Sequence, residues 1–532
     1  MSENPSGTDS ANRCLELPII IVNDRDLRDI TAEALLALQM ANDPPTIFIR
    51  GGSLVRVISD EHGSVVVERI DDTVLRGYLT RAADFRRRSV ERGGEVRLTA
   101  VSPPRDIAQD LLAMCSDKEF FPVLRAISQT PIVHPDGTIC TASGYDRVTG
   151  IYLDLDAAFE GLVVSDAPID IEVDSAVDLI RDVIADFPFT SEVDKANYIG
   201  VLITVLIRSQ FACSPVAMID SPQPGTGKTL LALIVAVVYI GSQSATVSPP
   251  RPGSEEWGKL LTSLLLDGRR VVILDNLATR LDSDALASAI TSPTYQARIL
   301  GRSETVTLPQ QSTFVVTGNN AALGEDLARR TYWIRLDARV SNPYKRTGFK
   351  HPDLLAYVTE NRRQLMHALL TIVRAWYAAG KPPANTPVLG SFESWSRTIG
   401  AILYNAGING FLENFDEHAC QADDGSAQKE AFLWQVMEAF RDVRSSGSGP
   451  EQTAAFTAKD LTSTIRSRKN LEAALPEELV DAVKRESTQA VGRFLASIRD
   501  HRFGEAGIHV VDEGVTRDKV RQWRVRSPVS SL

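Results

Sequence analysis

Cysteine is scarce in this chain of 532 residues, and its five cysteines lie far apart. None forms a CxxC pair, and no histidine stands at zinc-finger spacing from them. The pattern therefore supports neither a disulfide framework nor a zinc site, and it favours a reducing, cytoplasmic compartment. The five cysteines are Cys14, Cys115, Cys140, Cys213 and Cys420.

Long apolar runs and an excess of positive charge are also missing. The longest apolar run, Leu230–Ile240, is about half of the roughly 20 residues that a membrane helix needs, so no membrane association is expected. Residues 1–16 are polar and read as a disordered tail rather than a signal peptide. The net charge of −11 argues against a protein that coats nucleic acid along its whole surface, so any contact with nucleic acid must be local.

The composition, 43% apolar and 23% charged, is that of a globular protein. Near the N-terminus, short apolar strands alternate with amphipathic helices, which predicts an α+β unit. The basic segment Arg81–Arg92 reads either as a phosphate contact or, preferably, as a solvated helix end. Asp154 and Asp156 form a DxD pair of the kind that holds metals in primase-polymerases, but no further carboxylate or histidine partner can be placed, so a fused primase is disfavoured.

The segment Val216–Thr229 (VAMIDSPQPGTGKT) reads as a strand, a Pro/Gly loop and the start of a helix, the context of a phosphate-binding loop. Its inner glycines let backbone N–H groups face phosphate oxygens, Lys228 adds a full positive charge, and Thr229 is placed to bind Mg²⁺. Pro222 stands where the GxxxxGK[ST] pattern has its first glycine, a position that only shapes the turn. The predicted nucleotide-binding residues are Pro224, Gly225, Thr226, Gly227, Lys228, Thr229 and Leu230.

Two further apolar strands end in polar residues. Arg270–Asn276 (RVVILDN) delivers Asp275, a second Mg²⁺ ligand, to the carboxyl edge of an open sheet. Asn276 follows it where such NTPases usually have a glutamate that orients water, and an amide cannot accept a proton. Either Glu304, Glu255 or Glu256 replaces that glutamate, or hydrolysis is slow. Ser312–Thr317 leads to Asn319, which can contact both the γ-phosphate and the attacking water.

A short helix then ends in Arg329 and Arg330 before another strand. Taken in order, PGTGKT, VVILDN, TGNN and DLARRTYWIRLD resemble the core of an AAA+ ATPase. More narrowly they resemble superfamily III-like helicases and primase-helicase ATPases of phages, plasmids and pathogenicity islands. The resemblance implies that Asn319 is a sensor, that Arg329 or Arg330 acts as an arginine finger in a neighbouring subunit, and that the chain assembles as a homo-oligomer, usually a hexameric ring.

The stretch Ala297–Pro309 predicts a β-hairpin immediately before the Asn319 strand. Related ring helicases grip DNA with such a hairpin, which makes Arg298 and Arg302 candidate DNA contacts. The alternative is that these arginines pair within a subunit interface or with nucleotide.

After the linker Ser445–Gln452 the chain reads as three helices followed by two strands, the pattern of a winged helix. This C-terminal part, Phe456–Arg526, has 14 basic and 11 acidic residues. Winged helices also dock proteins, so DNA binding is one of two readings. Its candidate DNA contacts are Arg493, Arg499, Arg521 and Arg524.

Together these patterns predict an α/β protein with a P-loop core, a parallel sheet with helices on both faces. Its expected parts are a tail (1–16), an N-terminal α+β domain (17–165), an AAA+ core (166–345), a helical lid and connector (346–444) and a winged helix (453–528). The expected activity is ATP hydrolysis with Mg²⁺, coupled to translocation on single-stranded or forked DNA by a helicase or replication initiator of a mobile element. The alternatives are an ATP-gated DNA-binding switch with little turnover and a protein-remodelling ATPase, although Gly301–Ser303 lacks the exposed aromatic of remodelling pores.

Overall fold

A computed structural model describes residues 17–527 apart from short gaps. The gaps are 60, 62–64, 115–119, 252–254, 279, 299–304, 416–423, 442–450, 505 and 517–519. The predicted tail, Arg302, Glu304, Gly301–Ser303 and three of the five cysteines, Cys14, Cys115 and Cys420, lie outside the described residues. Within them, three large hydrophobic cores divide the chain into an N-terminal, a central and a C-terminal unit.

The N-terminal unit combines three helices with two small sheets. One sheet contains Ile19–Ile21, Asp84–Val90 and Val96–Ala100, and the other contains Ile47–Arg50, Ser53–Ser59 and Val65–Arg69. The helices are Leu27–Ala41, Asp72–Ala82 and Arg105–Met114.

The basic segment Arg81–Arg92 is not a helix end over most of its length, and that interpretation was wrong. The preceding helix stops at Ala82, Ala83 takes an extended conformation, and Asp84–Val90 becomes the middle strand of its sheet. Hydrogen bonding to two neighbouring strands overrides the local helical pattern. A short stretch of sequence does not show which strands become neighbours.

Residues 126–162 form short hairpins that pack into the central unit. Their strands are Ala126–Ser128, Ile132–Val133, Ile139–Cys140, Gly144–Asp146 and Ile151–Leu153. Val133, Phe159 and Leu162 belong to the same hydrophobic core as the central sheet, although the sequence placed them in the preceding domain.

The central unit is built on five parallel strands with helices packed around them. The strands lie side by side in the order Thr246–Val247, Val271–Leu277, Thr313–Asn319, Val216–Ser221 and Thr331–Arg335. Their carboxyl ends share one edge, the edge at which open α/β sheets bind ligands. The helices of this part are Asp170–Val183, Glu192–Leu206, Lys228–Ile240, Glu256–Leu266, Asp284–Ile290 and Glu325–Ala328. This mixed α/β arrangement is compatible with a P-loop core.

Three more helices follow the sheet: Leu354–Glu360, Arg362–Ala378 and Glu393–Asn405. The first two are separated at Asn361, whose side-chain amide donates to the Tyr357 carbonyl (2.9 Å). Helix Arg362–Ala378 packs against Asp170–Val183, so it shares the core of the central unit.

The C-terminal unit contains four short helices and a long hairpin. The hairpin pairs His509–Val515 with Arg521–Ser527, and the short strands Glu451–Gln452 and Phe456–Thr457 also pair with its second strand. Helix Asp424–Ala439, predicted as part of the connector, places Phe432, Leu433 and Val436 in this core. The helices are Ala458–Ser467, Lys469–Ala473, Glu477–Lys484 and Thr488–Ser497. Every helix in the described part of the chain is too short or too polar to cross a membrane.

Candidate nucleotide site

The P-loop leaves the carboxyl end of the buried strand Val216–Ser221 and turns into helix Lys228–Ile240. Gly225 and Gly227 have φ of 81° and 98°, left-handed conformations that glycine adopts without strain. A Cβ atom on Gly225 would also lie 2.9 Å from Cβ of Tyr344, so both conformation and space require glycine there.

Lys228 is held by oxygen acceptors at the sheet edge. Its Nζ lies 2.7 Å from Ser221 Oγ and 2.7 Å from Asn319 Oδ1, and it also donates to the Gln223 carbonyl (3.2 Å). Burial lowers the pKa of Lys228, while the negative charges of Asp220 and Asp275 oppose that shift. The predicted lysine and the predicted sensor amide are therefore in direct contact.

Thr229 and Asp275 meet on the other side of the loop. Thr229 Oγ1 donates to Asp275 Oδ1 (2.8 Å), and Thr317 Oγ1 donates to the same carboxylate oxygen (2.6 Å). The strand register shifts between Leu274 and Leu277, a bulge that turns Asp275 toward the loop. A hydroxyl and a carboxylate at this separation suit Mg²⁺, which prefers oxygen ligands.

Asn276 is exposed, has a left-handed φ of 60°, and its backbone N–H donates to Thr317 Oγ1 (2.9 Å). Of its possible replacements as a carboxylate, Glu256 forms an exposed ion pair with Lys259 (2.6 Å). The structure thus gives Asn276 a fixed backbone and pairs Glu256 with Lys259.

A buried acid under the P-loop was not predicted. Asp220 is fully buried, accepts from the Ala321 N–H (2.9 Å) and pairs with Arg335 Nη1 (2.9 Å). Burial raises the pKa of Asp220, and these partners together with Lys228 oppose the rise. Arg335 also donates to Asn320 Oδ1 (3.3 Å), so this pair connects the strand after the arginines to the sensor turn. No short sequence motif predicts the Asp220–Arg335 pair, because the two residues come from separate strands.

A segment after the last strand covers the P-loop. Residues 341–350, here called the strap, bring Tyr344 against Gly225 with the tyrosine 68% exposed. Arg346 Nη2 donates to the Asp186 carbonyl (2.7 Å), and the Lys350 N–H donates to the Asp186 carboxylate (2.6 Å). The strap therefore holds an exposed aromatic ring next to the phosphate-binding loop, which sequence analysis missed.

Arg329 and Arg330 lie at the amino ends of the parallel strands, whereas the P-loop follows the carboxyl end of its strand. The Val216 N–H, at the start of the P-loop strand, donates to the Arg330 carbonyl (3.0 Å). Both guanidinium groups contact Asp326, with the Arg329 side chain 70% exposed and that of Arg330 19% exposed. The length of strand Val216–Ser221 therefore separates both arginines from the loop that holds Lys228.

The hairpin before the sensor strand is present, with Thr294–Arg298 pairing antiparallel to Thr305–Pro309. Arg298 is exposed near its tip, and the tip itself lies outside the described residues.

The C-terminal arginines differ in availability. Arg493 is exposed on its helix, whereas Arg499 and Arg521 both approach Asp512 (3.7 and 3.5 Å). The Arg524 side chain is only 19% exposed and lies 3.1 Å from Glu513. Arg524 therefore does not offer its guanidinium to a phosphate in this structure, because the hairpin buries and neutralises it.

Neither the protein-family models nor the curated proteins compared with this chain gave a match. Among solved structures, the chain is similar to the A-form apo structure of the NrS-1 C-terminal region (305–718), with 12% identity, a TM-score of 0.33 and coverage of 92% of this chain and 98% of that one. It is also similar to SCCmec type IV Cch, described as an active helicase, with 12% identity, a TM-score of 0.36 and coverage of 89% and 90%. Scores this low align no individual residue, so the candidate site rests on its own geometry.

Proposed function

We propose that this protein is an Mg²⁺-dependent ATPase that works on DNA, as a helicase or replication-initiator ATPase of a mobile element. The observation that carries the proposal is the convergence of three separate motifs at one sheet edge. Lys228 and Asn319 are joined by one hydrogen bond, and Thr229 and Asp275 by another (2.7 and 2.8 Å). A lysine, an amide and a pair of oxygen ligands around a glycine loop form a site for a nucleoside triphosphate.

In this proposal, each site residue has a separate role in binding or hydrolysing ATP. The loop N–H groups and Lys228 bind the phosphates, and Asn319 positions the attacking water beside the γ-phosphate. Thr229 and Asp275 hold Mg²⁺, which neutralises charge that develops on the phosphates. Arg329 or Arg330 reaches the site of a neighbouring subunit, so turnover requires a homo-oligomer, for which we propose a hexameric ring.

The DNA contact is proposed at two places. The hairpin bearing Arg298 joins the amino end of the sensor strand Thr313–Asn319 through residues 310–312, so a movement of the whole strand would be passed to the hairpin. The C-terminal helices and hairpin are proposed to form a winged helix, with Arg493 as the arginine best exposed for phosphate.

An ATP-gated switch with little turnover is the second candidate, and Asn276 favours it. An amide at this position cannot take a proton from water. In that case ATP binding alone would change the affinity for DNA.

The test is ATP turnover by the purified protein, alone and with single-stranded or forked DNA, at low and moderate salt because phosphate contacts are salt-sensitive. Turnover that rises with DNA and disappears in Lys228→Ala supports the helicase proposal. Tight ATP binding without turnover would favour the ATP-gated switch. Normal turnover by Lys228→Ala would overturn the proposed nucleotide site.

A further inference from the structure

His134, Cys140 and Asp146 come together in the hairpins before the central sheet, although the sequence gave no zinc-site signal. One ligand atom from each side chain lies within 4.8 Å of the other two. The residues recur every six positions along the chain, so no CxxC or HxxxH pattern announces them. Two hairpins, Ile132–Cys140 and Gly144–Leu153, bring them to one place.

The hydrogen bonds around His134 leave its Nε2 lone pair facing Asp146. Thr138 Oγ1 donates its proton to Asp136 Oδ1 (2.7 Å), so toward His134 Nδ1 (2.9 Å) it acts as an acceptor. In the neutral ring Nδ1 therefore carries the hydrogen, and Nε2 turns a lone pair toward Asp146 Oδ1 at 3.2 Å. Two acceptors at that distance repel each other unless a proton or a metal ion lies between them.

Asp146 is prepared to act as a ligand. Its Oδ2 accepts from the Thr149 N–H (2.8 Å) and hydroxyl (2.5 Å), which leaves Oδ1 for another partner. The Asp146 side chain is 9% exposed and that of His134 is 17% exposed, so both are largely shielded from solvent.

The surrounding contacts fix the cluster to the central unit. Arg374 Nη1 donates to the Gly137 carbonyl (3.0 Å), and Lys381 Nζ donates to the Pro135 carbonyl (3.0 Å). Gly137, with φ of 90°, lies so close to Tyr377 that a Cβ would approach its ring to 2.5 Å. The turn between His134 and Thr138 is therefore seated on helix Arg362–Ala378.

We propose that His134, Cys140 and Asp146 form a Zn²⁺ site. Thiolate, imidazole and carboxylate together favour zinc over Mg²⁺ or Ca²⁺, which prefer oxygen ligands alone. Tetrahedral zinc separates N and O ligands by roughly 3.4 Å, close to the Nε2 to Oδ1 distance, and Cys140 Sγ closes in as its proton is released. The fourth position takes a water molecule, and Thr138 supplies the second-shell contact that orients His134.

The experiment measures metal content in the full chain, purified without a chelating tag and equilibrated with a small excess of Zn²⁺. We expect one zinc ion per chain in the wild type and in Cys213→Ser, the control for the other described free cysteine. Cys140→Ser and His134→Gln should bind zinc at least about tenfold more weakly, and Thr138→Val about tenfold more weakly through the second shell. Replacing zinc with Co²⁺ should give a thiolate-to-cobalt absorption band that Cys140→Ser abolishes.

Two results overturn the proposal: a wild-type chain that binds no zinc and gives no thiolate band with Co²⁺, or zinc retained at wild-type affinity by Cys140→Ser. The first would mean that the three side chains lie together without binding a metal ion. Because the wild-type cobalt spectrum alone decides this point, a variant that fails to fold does not block the test. Lys228→Ala should keep its zinc, which separates this site from the nucleotide site.

Discussion

At the scale of single residues, the lysine of the P-loop is already engaged before a nucleotide arrives. Lys228 contacts Asn319 and Ser221, both at 2.7 Å, so an entering phosphate replaces hydrogen bonds that exist in the free protein. On the proposed mechanism, Asn319 would thereby be released to face the γ-phosphate and water.

Replacing Asn319 with alanine should separate binding from turnover. We expect ATP affinity within a few-fold of wild type but kcat lower by about 10²-fold, since one preorganised polar contact to the reacting groups is lost. Equilibrium binding and steady-state turnover measure the two effects. Asn320→Ala is the matched control because its side chain contacts Arg335 instead, and an equal loss of kcat there would contradict the role of Asn319.

At the scale of structural elements, the strap places an aromatic ring beside the phosphate loop. Tyr344 is 68% exposed while its Cβ is packed against Gly225, an arrangement suited to stacking on a nucleobase.

Tyr344→Ala should weaken ATP binding by about tenfold, the lower end of base-stacking contributions of about 1–3 kcal/mol. Binding of inorganic tripolyphosphate should be unchanged, because it has no base. Calorimetry with both ligands makes the comparison, with Tyr344→Phe and the exposed Tyr404→Ala as controls. Parallel losses for ATP and tripolyphosphate would show that the strap supports the loop and does not stack.

A second element-scale contact joins the hairpin region to helix Arg362–Ala378. The buried guanidinium of Arg362 pairs with Asp156 and donates to the Val238 carbonyl (2.9 Å). Burial by itself would raise the pKa of Asp156, but the Ala158 N–H and Arg362 together hold it below its ordinary value.

Asp156→Asn should lower the free energy of unfolding by about 1–3 kcal/mol, because a buried cation loses its counter-charge. A depressed carboxyl pKa stabilises the fold above the unfolded pKa of about 3.9 and loses that effect as pH falls through the folded value. The difference from wild type should therefore be full at neutral pH and shrink below about pH 4. Urea unfolding at several pH values measures it, and Asp154→Asn is the control. If neither substitution changes the stability but both abolish a polymerase activity, the result would support a primase metal site at Asp154 and Asp156.

Sequence reasoning located the P-loop, the Asp275 strand and the Asn319 strand, because each is a contiguous run whose period and end residue are local properties. It missed Asp220 with Arg335, and Tyr344 on Gly225, since these contacts depend on which strands become neighbours. It misread Arg81–Arg92 because three adjacent arginines do not distinguish a helix end from a central strand. The functions of the site residues and the domain limits remain predictions.

At the scale of the whole molecule, the two halves of the proposed catalytic machinery lie at opposite edges of one sheet. The P-loop is at the carboxyl edge, and Arg329 and Arg330 are at the amino edge. On the proposed mechanism, a subunit would complete its site only by facing a neighbour.

Mixing two inactive variants should test this arrangement. Arg329, with its side chain 70% exposed, is the better placed finger, so Arg329→Ala should bind ATP normally and lose at least about 10³-fold in kcat. A mixture of Lys228→Ala and Arg329→Ala should regain measurable turnover, because each variant supplies the residue that the other lacks. Arg330→Ala is the neighbouring control, and a mixture that stays inactive while mixed oligomers form would argue against action in trans.

Residues 126–162 pack against parts of the central unit that the ribosome adds later. Asp156 and its partner Arg362 are 206 residues apart. A ribosome adds roughly 5–20 residues per second, so about 10–40 s pass before the partner of Asp156 has been made. Until the central unit is complete, Val133, Phe159 and Leu162 lack part of the core that they share with it, while the N-terminal unit has its own core. The hairpin region is therefore expected to finish folding after the N-terminal unit.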